Sequence, residues 1–361
     1  MLSTELAHHT RLGGQIEACV LIDNGCLVQP RFSPRGNGSV RLGRKVNRKI
    51  MKIAYLVLAH QYPEILQRTA RCLRGPDSEF FVHIDRKTSL AEFAEMRAAG
   101  LLASEIRVPV YWGGFSIVGA TLLLLRQAVN HSQKFDYFVL LSGSDYPLRS
   151  SRYIQTFLDS NRGTEFISMV KIPNDAFGMP ISKVNRIWFE PNRPVLRFVT
   201  RSLAKVGLAQ RDHRRYLHGL EPFGGSQWWA LTRGACEYIL DFVECNAHVV
   251  RYFRAAPTSD ETFFHTILGN SQFRYKARRS LTYADWSNGP NHPAMISEKH
   301  LALFENRAWV WTEDIWGSGE ALFARKFSRG NLELLDRIDQ IAMQKDAGIR
   351  QFETTSIESC Q

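Results

Sequence analysis

An acidic pair, Asp260-Glu261, stands directly before an apolar run that begins at Phe263. Thr258 and Glu261 are three residues apart, which is the spacing of a capping box, in which the glutamate side chain reaches back to the amide of the capping residue. A carboxylate at the start of a helix is also well placed to act as a general base toward a hydroxyl group. Spacing alone favours the cap, and both interpretations stay open at this point.

Two adjacent cations, Arg325 and Lys326, lie between Phe323 and Phe327. The aromatic neighbours would anchor the backbone and leave the cations in a partly dry cleft, although a solvated basic turn has the same pattern. The chain contains no Asp-x-Asp, the kind of carboxylate cluster that holds a divalent ion against a diphosphate. If a diphosphate binds here, Lys and Arg side chains must neutralise it.

Polar side chains follow several predicted strands. His60 follows the first strand, Asp85 follows the second, and Ser142 to Asp145 follow a third strand that starts at Tyr137. In open α/β sheets, ligands bind beyond the carboxyl ends of the strands. Asp85 is therefore a candidate for holding a ribose or a base edge, and a solvated turn with Arg86 and Lys87 is the alternative. His60 by itself is weak evidence, because a structural histidine is the commoner case.

Tryptophans stand in three places that could form a binding rim. Trp112 follows Tyr111, Trp228 follows Gly225-Ser226, and Trp286 follows Asp285. Such aromatic residues more often belong to the core, yet indole is rarely buried completely and sugar rings favour aromatic faces. Gly225-Ser226 before Trp228 and Asp285 before Trp286 therefore hint at a binding rim.

The elements that position these residues alternate along the chain. The apolar run from 53 to 59 predicts a strand buried on both faces, and Pro63 opens a predicted helix through Leu73. Further strand and helix patterns follow up to about residue 268, and the region 170–195, rich in Pro and Asn, is predicted to be a long loop. This alternation predicts an α/β fold with a mostly parallel sheet.

Composition bounds the class of protein. The chain has 361 residues, of which 44% are hydrophobic and 22% charged, as in an ordinary globular protein. No apolar run approaches the length of about 20 residues that spans a bilayer, so an integral membrane protein and a secretory signal are not expected. Six scattered cysteines without a CxxC pair indicate neither a zinc site nor a disulfide scaffold, and we expect a reducing, cytoplasmic compartment.

The net charge of +11 invites an anionic partner, and residues 1–50 carry eight Lys or Arg against three acidic residues. We interpret 1–50 as a basic, disordered extension, and a nucleic-acid-binding arm or a membrane-binding tail is the alternative. Residues 51–330 then form one catalytic domain, and 331–361 a helix and tail.

Seven motifs occur in an order that resembles the core-2/I-branching β-1,6-N-acetylglucosaminyltransferase family, which also contains the peptide O-xylosyltransferases. The resemblance covers about Lys52 to Phe327, and 263–266 together with Asn270-Ser271 look closer to the xylosyltransferases. The motifs are Ala54–His60, Val82–Lys87, Tyr111–Ser116, Leu141–Leu148, Gly225–Trp229, Ser259–His265 and Phe323–Phe327.

The resemblance implies a GT-A-like fold and an inverting transfer of GlcNAc or xylose from a UDP-sugar to an acceptor hydroxyl. No cofactor or metal is expected, and the UDP-sugar is a substrate. By the same resemblance Glu261 is the catalytic base and Lys326 binds the UDP diphosphate. The resemblance also assigns the UDP side of the site to Arg325, His60, Asp85 and Trp112. It assigns the acceptor side to Trp286, Asp145 and Trp228. A second diphosphate-binding residue is expected upstream, with Lys299 and Arg307 as candidates.

The chain also departs from the eukaryotic members, which are Golgi membrane proteins with several disulfides. We therefore expect a cytoplasmic enzyme of surface glycan synthesis, with a peripheral contact at the inner face of the membrane as an option. Its expected partners are the sugar donor and a glycan or other hydroxyl-bearing acceptor, and no nucleic acid. A catalytically inactive glycan-binding relative, or nucleic-acid binding through the basic arm, is the alternative.

Overall fold

A computed structural model describes residues 50–98, 101–289, 292–305 and 309–358. Their strands are β1 Ile53–Ala59, β2 Ser78–Ile84, β3 Leu102–Ala103, β4 Tyr137–Ser142, β5 Tyr146–Pro147, β6 Glu165–Lys171, β7 Phe223–Thr232, β8 Ala277–Arg278, β9 Thr282–Ala284, β10 Trp311–Asp314, β11 Gly317–Glu320 and β12 Phe323–Arg325. Their α-helices are α1 Pro63–Leu73, α2 Ala94–Ala98, α3 Phe115–Val129, α4 Ser151–Ser160, α5 Ser182–Asn185, α6 Pro194–Lys205, α7 His213–Leu217, α8 Arg233–Cys245, α9 Ala247–Phe253, α10 Phe263–Gly269, α11 Leu301–Glu305 and α12 Leu332–Glu358.

The central sheet has seven strands in the order β3-β2-β1-β4-β7-β6-β8. Strands β3, β2, β1 and β4 are parallel, β7 is antiparallel to both β4 and β6, and β8 is parallel to β6. Only β7 therefore runs against the other strands of this sheet. The α/β class and the mostly parallel sheet predicted from the sequence are confirmed, and the topology is consistent with the GT-A-like domain that the resemblance implies.

Helices cover both faces of this sheet because the residues of β1 alternate between two cores. Ala54 and Leu56 pack into a cluster with residues of α3, α8 and α10. Tyr55 and Val57 face the other way, into a cluster with residues of α1 and α4. Burial on both faces is what the continuous apolar run of β1 predicts.

A smaller sheet of order β5-β12-β9 adjoins the central one. Its residues Tyr146 and Ala324 pack together with Phe327 and with Leu335 and Ile338 of α12. Helix α12 thus anchors the strand whose end carries Lys326.

The carboxyl ends of three parallel strands lie side by side. Ala59 pairs with Ile84, and Leu58 pairs with Ser142. Strand β7 is antiparallel to β4, and Thr232 at the end of β7 pairs with Tyr137 at the start of β4. The first residues of β7, from Phe223 on, therefore extend beyond the carboxyl end of β4. The first residues of β7 therefore face the same sheet edge as the residues that follow β1, β2 and β4.

Candidate active site at the carboxyl edge

Asp85 is held firmly in the loop after β2. Its amide donates to the carbonyl of Ala59 at 2.8 Å, and its Oδ1 accepts from the amides of Lys87 at 2.9 Å and Val110 at 3.3 Å. The ammonium of Lys87 lies 3.3 Å from Oδ2. The residue is buried, so its carboxylate is not part of a solvated turn.

His60 follows β1 and lies within the electrostatic influence of Lys326. Burial lowers the pKa of His60, and the positive charge of Lys326 lowers it further, while Asp85 acts in the opposite direction. The imidazole is therefore neutral near pH 7. His60, Asp85 and Lys326, which were predicted from three separate motifs, thus share one electrostatic environment.

The two cations at the end of β12 differ in their contacts. Arg325 donates from Nε to Oδ1 of Asp145 at 3.1 Å, and its guanidinium lies 4.3 Å from the ring centroid of Trp228. Lys326 has no ion-pair partner within the described part of the chain. Burial and then the charge of Arg325 lower the pKa of Lys326, while Asp145 raises it. Two cations therefore share a single carboxylate, which favours binding of an anion.

Asp145 is buried and fixed within its own turn. Its Oδ2 accepts from the amide of Ser142 at 2.8 Å, and its Oδ1 accepts from the Ser142 hydroxyl at 2.5 Å. Trp228 is buried as well. In this structure Asp145 and Trp228 hold Arg325 in place, and Phe323 and Phe327 are fully buried on either side of the two cations.

Exposed aromatic rings form a rim beside these cations. Trp112 is 68% exposed and Trp286 is 52% exposed. The ring centroid of Trp112 is 5.6 Å from that of His292, which lies in the segment after Trp286. This segment is tied to the cations, since the amide of Ile296 donates to the carbonyl of Lys326 at 2.9 Å.

Of the two candidates for a second diphosphate-binding residue, Arg307 lies outside the described residues. Lys299 forms an ion pair of 3.0 Å with Oδ2 of Asp285, which also contacts Nε2 of His300 at 2.9 Å. The amide of Ser287, followed by the bond from His300, holds the pKa of Asp285 well below its usual range.

Glu261 closes a short 3₁₀ turn, Ser259–Glu261, before α10. Its carboxylate forms an ion pair with the ammonium of Lys183 on α5. Thr258 has a left-handed backbone with φ of 45°, and its side chain makes no capping bond. The capping box favoured by spacing is therefore wrong, because the Glu261 side chain extends toward α5 instead of back toward Thr258.

The carboxyl group of the preceding residue, Asp260, lies in a different environment. Asp260 is buried, and its Oδ1 has no hydrogen-bond partner among the described residues. Burial, and next the negative charge of Glu261, raise the pKa of Asp260 to about 7. Two consecutive acids thus occupy opposite environments, and only the side chain of Glu261 is partly exposed, at 33%.

Close backbone approaches connect the Glu261 turn to the other residues of the edge. A Cβ on Gly224 of β7 would lie 3.2 Å from the carbonyl oxygen of Glu261, and a Cβ on Gly113 would lie 3.9 Å from the amide nitrogen of Thr258. The turn therefore packs against the first residues of β7 and against the loop of Trp112. Trp228 of the same strand contacts the guanidinium of Arg325, so β7 links the Glu261 turn to the two cations.

Sequence reasoning missed several residues of this edge. Lys183 lies in the region predicted to be a loop, and no periodic pattern marked it. Glu190 accepts at Oε1 from the amide of Ser116 at 2.7 Å, and it contacts Gly114, where a Cβ would lie 2.3 Å from Oε1. Only the consecutive glycines after Trp112 signalled such a close approach.

A groove of about 980 Å³ lies elsewhere, along β6 and the β10–β11 hairpin. None of the site residues predicted from the sequence lines it. In the described ranges no three His, Cys, Asp or Glu side chains are arranged to hold a metal ion, and none of the helices there is long and apolar enough to cross a membrane.

Comparison with known proteins gives a consistent result. A sequence model of the family "Core-2/I-Branching enzyme" matches residues 53–305. Xylosyltransferase 2 of Rattus norvegicus is 24% identical over 240 residues, which cover 64% of this chain and 26% of that protein. Xylosyltransferase 2 of Homo sapiens is 25% identical over 278 residues, which cover 75% of this chain and 29% of that protein.

Among solved structures, a 4-diphosphocytidyl-2C-methyl-D-erythritol synthase from Anaerococcus prevotii is similar with a TM-score of 0.27 and 10% identity, over 54% of this chain and 76% of the other. The chain spans little more than a quarter of the length of the xylosyltransferases that it matches. The family match, in contrast, covers most of this chain and includes every predicted site residue except Arg325, Lys326 and the candidate Arg307. The chain belongs to the core-2/I-branching enzyme family.

Proposed function

We propose that this protein is an inverting glycosyltransferase that moves GlcNAc or xylose from a UDP-sugar to an acceptor hydroxyl without a metal ion. One observation carries the proposal: β7 contacts both groups, since the turn of Glu261 packs on Gly224 and the ring of Trp228 lies 4.3 Å from the guanidinium beside Lys326. An anion site and a general base are the two elements that such a transfer requires.

In the proposed reaction, the carboxylate of Glu261 accepts the proton of the acceptor hydroxyl. The acceptor oxygen forms a bond to the anomeric carbon on the face opposite UDP, and the bond from that carbon to the β-phosphate oxygen breaks. The electron pair of the broken bond leaves with UDP. Lys326, with Arg325 beside it, stabilises this developing negative charge, which is the role that a fixed cation fills at a leaving group.

The remaining residues are proposed to bind and orient the substrates. His60 and Asp85, which share the electrostatic environment of Lys326, are proposed to contact the nucleotide together with Trp112. Trp286 would stack against the acceptor sugar, since its indole is half exposed. Asp145 and Trp228 stay assigned to the acceptor side, and their observed contacts with Arg325 support a positioning role for both.

Lys183 is proposed as a further positioning residue. Its ion pair fixes the Glu261 carboxylate, whose own turn provides no capping bond to hold it. A base held in one orientation transfers protons more effectively, because the reacting groups must lie within hydrogen-bond reach.

The test is a panel of UDP-sugars, with UDP release measured in the presence and absence of EDTA. We expect UDP to be released from UDP-GlcNAc or UDP-xylose. This release should require an acceptor and should persist when EDTA is present. Loss of activity in EDTA contradicts the metal-free account. Binding of UDP without release from any donor instead indicates the alternative, a catalytically inactive glycan-binding relative.

The cellular setting is part of the same proposal. We propose a cytoplasmic enzyme that adds sugars to acceptors of a surface glycan. The alternative of nucleic-acid binding depends on the basic residues 1–50, of which all but Ile50 lie outside the described residues. It predicts binding that weakens steeply with salt and is lost when 1–50 are removed.

A further inference from the structure

Helix α6 leaves an unusual amount of apolar surface uncovered. None of its residues is buried. The exposed side chains include Val195 at 73%, Phe198 at 73% and, just after the helix, Val206 at 67%. Leu196, Val199, Leu203 and Leu208 are also exposed. A contiguous exposed apolar patch of this kind marks an interaction surface.

The apolar side chains of α6 share one face. At 100° per residue, Val195, Leu196, Val199, Leu203 and Val206 fall on one side of the helix, with Phe198 at its border. The opposite side is the one that approaches the protein body, because Arg197 and Thr200 are only partly exposed and Ala204 lines a small cavity with α5. The helix therefore turns its apolar face outward.

The segment that contains α6 carries exposed cations and no acidic residues. Arg193, Arg201 and Lys205 are exposed on or beside α6, and no Asp or Glu occurs from residue 191 to residue 211. Arg214 and Arg215 of α7, the next helix along the chain, are exposed as well, and one exposed acid, Asp212, precedes them. An amphipathic helix with a basic polar side and an apolar face containing Phe and Leu suits the interface of an anionic bilayer.

We propose that α6 docks this protein on anionic membranes, with its apolar face in the headgroup region and its cations against lipid phosphates. A second copy of this chain fits the surface less well, since a symmetric contact pairs this segment with itself and supplies no acidic partner for its cations. A lipid surface supplies both the apolar layer and the negative charge.

The docking face lies close to the candidate active site. Glu190, four residues before α6, binds the amide of Ser116 at the start of α3, next to the loop of Trp112. A protein docked through α6 would hold that rim near the membrane surface, where membrane-bound acceptors are found.

Co-sedimentation of the full chain with lipid vesicles tests the proposal. We expect binding to vesicles of equal parts phosphatidylcholine and phosphatidylglycerol, and little binding to phosphatidylcholine alone. The double variant V195E/F198E should lower the bound fraction at least about tenfold, because charged groups do not enter the interface. Both positions are exposed, so the fold should be retained, which circular dichroism checks.

Two control variants make the result specific. M343E places a glutamate at a similarly exposed apolar position of α12, and it should bind vesicles as the original chain does. R201Q/K205Q should weaken binding and reduce its salt dependence, whereas R71Q/R152Q, which changes two exposed arginines elsewhere, should not.

Undiminished binding of V195E/F198E overturns the proposal and assigns vesicle binding to another basic segment, such as residues 1–50. Equal binding to both vesicle types overturns it as well. A dimer in solution that V195E/F198E dissociates, without vesicle binding by the original chain, assigns the face to self-association instead. None of these measurements depends on sugar transfer, so their outcome tests membrane docking independently of the proposed function.

Discussion

The ammonium of Lys183 forms an ion pair with the carboxylate of Glu261, although 78 positions separate the two residues in the chain. Lys183 lies on the short helix α5, and Glu261 ends a 3₁₀ turn whose left-handed residue Thr258 makes no side-chain cap. The pairing turns Glu261 away from a structural role at its own helix. It leaves the carboxylate held by Lys183 and partly exposed.

Replacing this carboxylate with an amide should greatly slow catalysis. We expect Glu261→Gln to lower the rate of transfer about 10²- to 10⁴-fold, because an amide cannot accept the proton of the acceptor hydroxyl. Affinity for UDP should be retained, since Lys326 and Arg325 are unchanged. UDP release under saturating donor, together with calorimetry of UDP binding, measures both effects.

A matched control is Glu221→Gln, which removes the carboxylate of another glutamate that pairs with a lysine, here Lys171. This variant should transfer sugar normally. If Glu261→Gln also retains nearly normal turnover, Glu261 is not the base.

Removing the cation of Lys326 should weaken binding of the nucleotide instead of slowing proton transfer. We expect Lys326→Met to weaken binding of UDP by about 1.5–3 kcal/mol, the contribution of a hydrogen bond to a charged group. That is about a ten- to hundredfold increase in Kd. Calorimetric titration with UDP measures it, and Lys134→Met at an exposed position serves as the control. Equal UDP affinity in both variants would remove Lys326 from the diphosphate site.

The elements that surround the site could be predicted because their residues carry local signals. Strand β1 and helix α1 have the bounds predicted from the apolar run and from Pro63. Predictions failed where local signals were weak. The region 170–195, predicted to be a long loop, contains the end of β6 and the helix α5, whose four residues are too few to show a helical period.

The site itself was predictable only in part, for a physical reason. Single residues at strand ends were apparent because parallel strands align their carboxyl ends. The pairs Lys183–Glu261 and Asp145–Arg325 join residues far apart in sequence, and only tertiary packing decides such pairs. Spacing alone suggested a capping box at Thr258, and the ion pair with Lys183 outweighs that local preference.

Asp260 should make folding stability depend on pH. Its pKa is raised from 3.8 to about 7 by burial and by the charge of Glu261. Above pH 3.8 the unfolded chain loses this proton while the folded chain keeps it, so stability falls as pH rises and levels off above about 7. Asp260→Asn cannot ionise. Relative to the original chain it should therefore become progressively more stable from about pH 4 to about pH 7.

Urea unfolding at a series of pH values measures this difference. Asp241→Asn, at an exposed position of α8, should leave the pH dependence as it is in the original chain. Unfolding curves of Asp260→Asn that run parallel to those of the original chain at every pH would show that the buried carboxyl does not titrate in this range.

The start of β7 should tolerate no side chain at Gly225. A Cβ there would lie 1.7 Å from the carbonyl oxygen of Ser168, beside the irregularity in the β6–β7 pairing. Gly225→Ala must push the two strands apart, which costs at least about 1–3 kcal/mol of stability. Gly119→Ala in α3 meets nothing within 4 Å and should instead gain about 0.5–1 kcal/mol. Because the Glu261 turn packs on the neighbouring Gly224, Gly225→Ala should also slow transfer below the melting temperature, and unchanged turnover would show that β7 does not position the turn.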